Sequence, residues 1–185
     1  RVALRRGVRW SDGAPFTAKD VVFTFRLLER FKALDLRGVG EFVESVTAID
    51  DHTVDFAFRR VFIPGFYYLA QQALVPEHIW KDIDGKAVRS YENEPTPGNP
   101  IVGAGPYILT ERQKGQFIRF EANPNYYKGK PAIDELTFRV YKNADAVAQA
   151  LRKGEVDFAD EMQANVFDAI QGVFAKYDLL VTPTV

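Results

Sequence analysis

The residues best equipped for acid-base chemistry are the carboxylates Glu155, Asp157, Asp160 and Glu161. Four carboxylates suffice for a general acid and base on paper, but that work needs two of them in one shared cleft, and charge scattered around a strand is far commoner. His52 and His78 are the only histidines and cysteine is absent, so a zinc site needs both rings plus carboxylates brought together by folding. His52 falls in a predicted hairpin turn, where it is expected to be solvated, and His78 follows Pro76 at a helix start. Asp82-Ile83-Asp84-Gly85 imitates the opening of a calcium loop, yet its glycine is at the fourth position instead of the sixth. No metal, cofactor or catalytic residue is expected.

Two further segments imitate nucleotide motifs. Gly103-Ala104-Gly105-Pro106 follows a proline-rich stretch and leads into a strand, and Pro106 offers no amide to a phosphate, so a hinge at Gly103 and Gly105 is the better reading. Residues 114–120 are similar to an RNA-binding strand but one residue short of it. The aromatic group Phe62, Phe66, Tyr67, Tyr68 and Trp80 suits a pocket wall or a core, and core is expected for most of it.

The elements that must position these residues read as a mixed α/β (α+β) pattern. Residues 2–4 form a strand, and Asp12-Gly13 supplies a turn. Thr17 and Asp20 then make a near relative of a capping box ahead of Val21, Val22, Phe25 and Leu28, which share one helical face. Residues 42–49 and 53–59 alternate as a hairpin across Asp50-Asp51-His52, and short helices begin at Pro64 and Pro76. Residues 82–100 read as a surface loop. Strands follow over 106–112, 116–122 and 136–141, then a helix capped by Asn143 or Asp145 and ended by Gly154, then a strand over 156–159 that completes a β-α-β unit. A helix over 165–176 and a strand over 179–182 close the sequence.

The chain has 185 residues, a net charge of -1 and 46 % hydrophobic residues, enough for a real core and against disorder. Balanced charge argues against a nucleic-acid partner. No apolar run reaches the ~20 residues a transmembrane helix needs. The start at Arg1, without a signal segment, and the strand-like end suggest part of something longer.

Several segments in order carry a family resemblance. Leu4 through Gly13 ("LRRGVRWSDG"), Pro15 through Phe23 ("PFTAKDVVF"), Val46 through Phe58 ("VTAIDDHTVDFAF"), Val75-Pro76-Glu77-His78-Ile79-Trp80, Val102-Gly103-Ala104-Gly105-Pro106-Tyr107, Asn123-Pro124-Asn125-Tyr126-Tyr127 and Gly154-Glu155-Val156-Asp157 together resemble the bacterial extracellular solute-binding proteins of family 5. These are the oligopeptide-, dipeptide- and nickel-binding components of ABC importers. Ala104 stands where the family commonly has Thr, and Tyr127 where it commonly has Trp.

The resemblance implies a fragment of a class II periplasmic-binding-protein-like fold, with residues 1–100 as the small extra domain and 101–185 as part of the first lobe. It implies capture of a peptide outside the cytoplasmic membrane, in the periplasm or lipid-anchored at its outer face, and delivery to a membrane permease, with no catalysis. An oligosaccharide is an alternative solute, and a carboxylate-based hydrolase or a stand-alone interaction module are alternatives of another class. Tyr68 and the segment after it fall near the cleft by resemblance. Gln71 and Gln72 there either hydrogen-bond a ligand or cap the end of a helix.

Overall fold

The computed structural model describes residues 1–35, 38–83, 91 and 93–159. It divides into two compact units, residues 1–112 with 119–137 and residues 113–118 with 138–185.

In the first unit the capping signal at Thr17 is realised. Helix α1 (Ala18–Arg30) starts where the Lys19 N–H donates to Thr17 Oγ1 at 3.3 Å and the Thr17 N–H donates to Asp20 Oδ2 at 2.8 Å. Two of the amides that a helix start leaves unpaired are thereby satisfied. The apolar face of α1 packs on a sheet of order β1-β3-β2, made of β1 (Val2–Ala3), β2 (Val43–Asp50) and β3 (Thr53–Phe58), with antiparallel pairing throughout. Phe42, expected to begin the hairpin, instead ends a short helix, α2 (Val39–Phe42).

The core beneath α1 is closed by Val21, Phe25, Leu28, Val39, Phe42, Val43 and Val54. Its aromatics interlock edge to face. Phe25 meets Phe56 at 5.1 Å between ring centroids, and Phe42 meets Phe58 at 5.5 Å. Such pairs are each worth roughly 0.5–1.5 kcal/mol beyond the area they bury.

Two short helices follow, α3 (Gly65–Ala70) and α4 (Glu77–Trp80), both starting at prolines as expected. A second sheet, order β4-β5-β6, is made of β4 (Tyr107–Gln113), β5 (Phe117–Ala122) and β6 (Glu135–Arg139). Gly115, at φ +75°, makes the turn between the first two.

In the second unit, α5 (Ala144–Lys153) is capped by Asn143 Oδ1, which accepts from the Ala146 N–H at 2.9 Å, and ends at Gly154 with φ +71°. Asn143 is thus the cap, and Asp145 lies inside the first turn. Ala148 and Leu151 bury against Ala159, with Val147 and Val156 beside them. The expected strand over 156–159 does not form, and the β-α-β unit is incomplete among the described residues. An extended segment becomes a strand only when a neighbour pairs with its amides, and no described residue pairs with these. Asp84, Gly85, Asp160, Glu161 and the expected elements at 165–176 and 179–182 lie outside the described residues.

Candidate functional site

Tyr68 sits on the inner side of α3. Its ring centroid is 6.0 Å from that of Phe42 and 5.7 Å from that of Phe62, so the residue is half-buried and fixed by packing. Gln71 terminates the helix, its N–H donating to Tyr68 O at 3.3 Å, and the Gln72 N–H donates to Leu69 O at 3.2 Å. The Gln72 side chain turns back on its own chain, Nε2 donating to Ala73 O at 2.9 Å. Its Oε1 keeps the capacity to accept.

From Gln72 the chain runs as an extended strap into α4, and two polar residues on the buried face of α1 hold it. The Val75 N–H donates to Thr24 Oγ1 at 3.1 Å, and the Glu77 N–H donates to Asp20 Oδ1 at 3.0 Å. Thr24 also donates to Asp20 O at 2.8 Å. Asp20 and Thr24 are buried, so these bonds satisfy groups that would otherwise be desolvated without partners. Sequence reasoning credited Asp20 with capping alone and missed Thr24. The signal was a polar pair at i and i+4 within an otherwise apolar helix face.

Beyond the strap, His78 Nε2 lies 2.7 Å from Asp12 Oδ2. The residue before Asp12, Ser11, grips Gly103 from both sides: its N–H donates to Gly103 O at 2.9 Å, and its Oγ accepts from the Gly103 N–H at 3.2 Å. Gly105 is held separately, its carbonyl accepting from Asn123 Nδ2 at 2.8 Å, with Asn123 fully buried. Each glycine is therefore itself held by a polar clamp. Neither has a neighbour that a Cβ would strike hard, since Gly103 has nothing within 4 Å and Gly105 only a backbone oxygen at 3.8 Å.

The remaining candidates do not converge. His52 is in the hairpin turn as expected, but it is half-buried and its Nδ1 is buried without a partner, so it is less solvated than its position suggests. Glu155 and Asp157 are exposed, and Glu155 Oε1 lies 3.7 Å from Lys153 Nζ. Among the described residues no three His, Asp or Glu side chains form a group able to hold a metal, and no helix is long and apolar enough to cross a membrane. Three surface carboxyls are held below their usual range: Asp55 by its hydrogen bonds from Arg1, Asp50 by the His52 N–H, and Asp134 by Lys130.

Two open hollows mark the first unit. One of about 310 Å³ lies among α1, α2 and β2, bordered by Arg26, Glu29, Glu44 and Arg59. The other, of about 470 Å³, lies over the sheet beside Arg1 and Asp55. Tyr68, Gln71 and Gln72 line neither.

Residues 1–178 match the family model described as bacterial extracellular solute-binding proteins, family 5 Middle. The chain is 32 % identical over 161 residues to the oligopeptide-binding protein AppA of Bacillus subtilis, covering 85 % of this chain and 29 % of that protein. It is similar in structure to AppA of B. subtilis in complex with a nonapeptide, with a TM-score of 0.80 and 29 % identity over 91 % of this chain and 33 % of that one. It is also similar to a mannohexaose-bound periplasmic oligopeptide-binding protein of Thermotoga maritima, with a TM-score of 0.77 and 27 % identity over 94 % of this chain and 31 % of that one. The chain thus spans about a third of the length of the relatives it matches.

Proposed function

The chain belongs to the bacterial extracellular solute-binding proteins of family 5, and from that membership we propose that it is part of the substrate-binding component of an ABC importer, capturing peptides outside the cytoplasmic membrane and delivering them to a permease. The observation that carries this reading is the family match over residues 1–178, joined to the likeness to AppA, a protein named for oligopeptide binding. The family and the similar proteins are substrate-binding proteins, so the chemistry required is recognition, with no bond made or broken.

In this reading residues 1–100 are the small extra domain and 101–185 part of the first lobe, joined through a hinge at Gly103 and Gly105. Gln71 and Gln72 reach the solute, and Tyr68, packed on Phe42 and Phe62, holds the helix end that presents them. A rigid aromatic beside amide side chains suits a peptide, because the amides reach backbone groups whose positions do not depend on sequence.

A second solute class has a specific observation behind it: the T. maritima relative is described with mannohexaose bound. Native mass spectrometry of the complete gene product, purified without refolding from its own host, separates the two. Co-purified peptide is the expected result, and a co-purified oligosaccharide with no peptide overturns the assignment.

A further inference from the structure

Thr24 lies in the middle of α1 and is 2 % exposed, a hydroxyl among the buried Val21, Phe25 and Leu28. A hydroxyl has one proton to donate and two lone pairs that accept. The Thr24 proton goes to Asp20 O at 2.8 Å, one turn back, and the lone pairs then receive the Val75 N–H at 3.1 Å. The helix itself orients the group that holds the strap.

That bond fixes more than Val75. Leu69 and Leu74 both pack against the core of the first unit, so Gln71, Gln72 and Ala73 form a short span pinned on each side. Within it the Gln72 side chain takes its direction from Ala73 O, which accepts from Nε2 at 2.9 Å. The direction of that carbonyl is set by the backbone up to Val75, because each residue of the strap has only two soft torsions. Thr24 therefore acts on Gln72 through the strap, from a helix that the core holds rigid. A binding group held in this way loses less conformational entropy when it meets its ligand.

Resting on the placement of Gln72 at the solute proposed above, we propose that Thr24 is a positioning residue for peptide binding. Through Val75 it holds the strap in the conformation that aims the Gln72 amide, so affinity depends on a hydroxyl buried away from the solute. A role confined to stability predicts something different, a weaker fold around an unchanged site.

The test is a double-mutant cycle on the complete gene product, read by calorimetric titration with pentapeptides that carry Ala, Leu, Phe, Glu or Lys at the centre. Thr24→Val keeps the shape and removes the acceptor, Thr24→Ser keeps the hydroxyl, and each is made alone and together with Gln72→Ala. Thr24→Val is expected to weaken binding of the tightest peptide about fivefold, and Thr24→Ser to stay within about twofold of wild type. In the Gln72→Ala protein, Thr24→Val is expected to change affinity by less than about twofold, because the group it aims is gone. Should Thr24→Val fail to fold, Thr24→Ala removes the same acceptor and carries the same expectations. Unchanged affinity in the folded variant overturns the positioning role, and so does an equal loss with and without Gln72→Ala. Wild-type protein that binds peptides while Gln72→Ala has no effect also overturns it and leaves the peptide reading standing. Failure of the wild type to bind any of these peptides removes both.

Discussion

The carboxylate of Asp20 ties the start of α1 to a segment 57 residues further on: one oxygen accepts from the Thr17 N–H, and the other from the Glu77 N–H at the start of α4. The helix cap and the anchor of the strap are one buried group. Anything that disturbs Asp20 therefore loosens the helix start and the segment carrying Gln71 and Gln72 together.

Asp20→Ala removes both bonds and leaves two amides unpaired at partly buried positions. A loss of about 3 kcal/mol in unfolding free energy is expected, within the range for hydrogen bonds to a charged group. Asp20→Asn keeps an acceptor for one amide and loses about half as much. Urea denaturation measures both, and equal losses would show that the strap contact contributes nothing.

Gly65→Ala places a methyl group 2.4 Å from Phe58 Cε2 and 2.8 Å from its Cζ. The Phe58 ring is packed against Phe42, so it yields only by disturbing the aromatic core. A destabilisation of about 1–3 kcal/mol follows from overpacking. A thermal midpoint equal to that of the wild type would mean that the ring moves freely.

Tyr68 and Gln72 separate stability from recognition. Tyr68→Ala removes an aromatic packed on Phe42 and Phe62 and is expected to destabilise the fold by about 2–4 kcal/mol. Gln72→Ala loses only a local bond to Ala73 O and is expected to leave stability within about 0.5 kcal/mol while weakening peptide affinity about tenfold. Paired denaturation and titration experiments check this, and unchanged peptide affinity in Gln72→Ala would remove the residue from the site.

Acid should weaken the surface ties of Asp50, Asp55 and Asp134. Each carboxyl is held below its unfolded value, so its contribution is present above about pH 4, the ordinary carboxylate range, and is lost as the pH falls through the lower folded value. Asp55→Asn should flatten part of that fall, and added salt should flatten more of it, because the Arg1 pair is exposed. Thermal midpoints recorded from pH 7 to pH 2 test the sign. A stability that rises on acidification would contradict it.

Local signals were legible wherever one residue type has one use. Thr17 with Asp20, Asn143 and Gly154 each marked a helix boundary that the structure bears out, and the alternation of Val54, Phe56 and Phe58 marked β3. The segment 156–159 has the composition of a strand but is not one, because composition reports a tendency to extend, whereas a strand also needs a partner, and no described residue supplies it. The site was less legible for the same reason. Asp20 and Glu77, Ser11 and Gly103, Asn123 and Gly105 are pairs set by tertiary contact, and only the polar residues on the apolar face of α1 hinted at one of them. The proposal of Gln71 and Gln72 rests on family resemblance, since neither their spacing nor their type singles them out.

The central claim is that the protein binds peptides. Calorimetric titration of the complete gene product against matched peptide and oligosaccharide panels tests it most directly. Micromolar or tighter binding of peptides is expected, an affinity that corresponds to about 8 kcal/mol, with no heat from oligosaccharides. Tight oligosaccharide binding with no response to any peptide would contradict it.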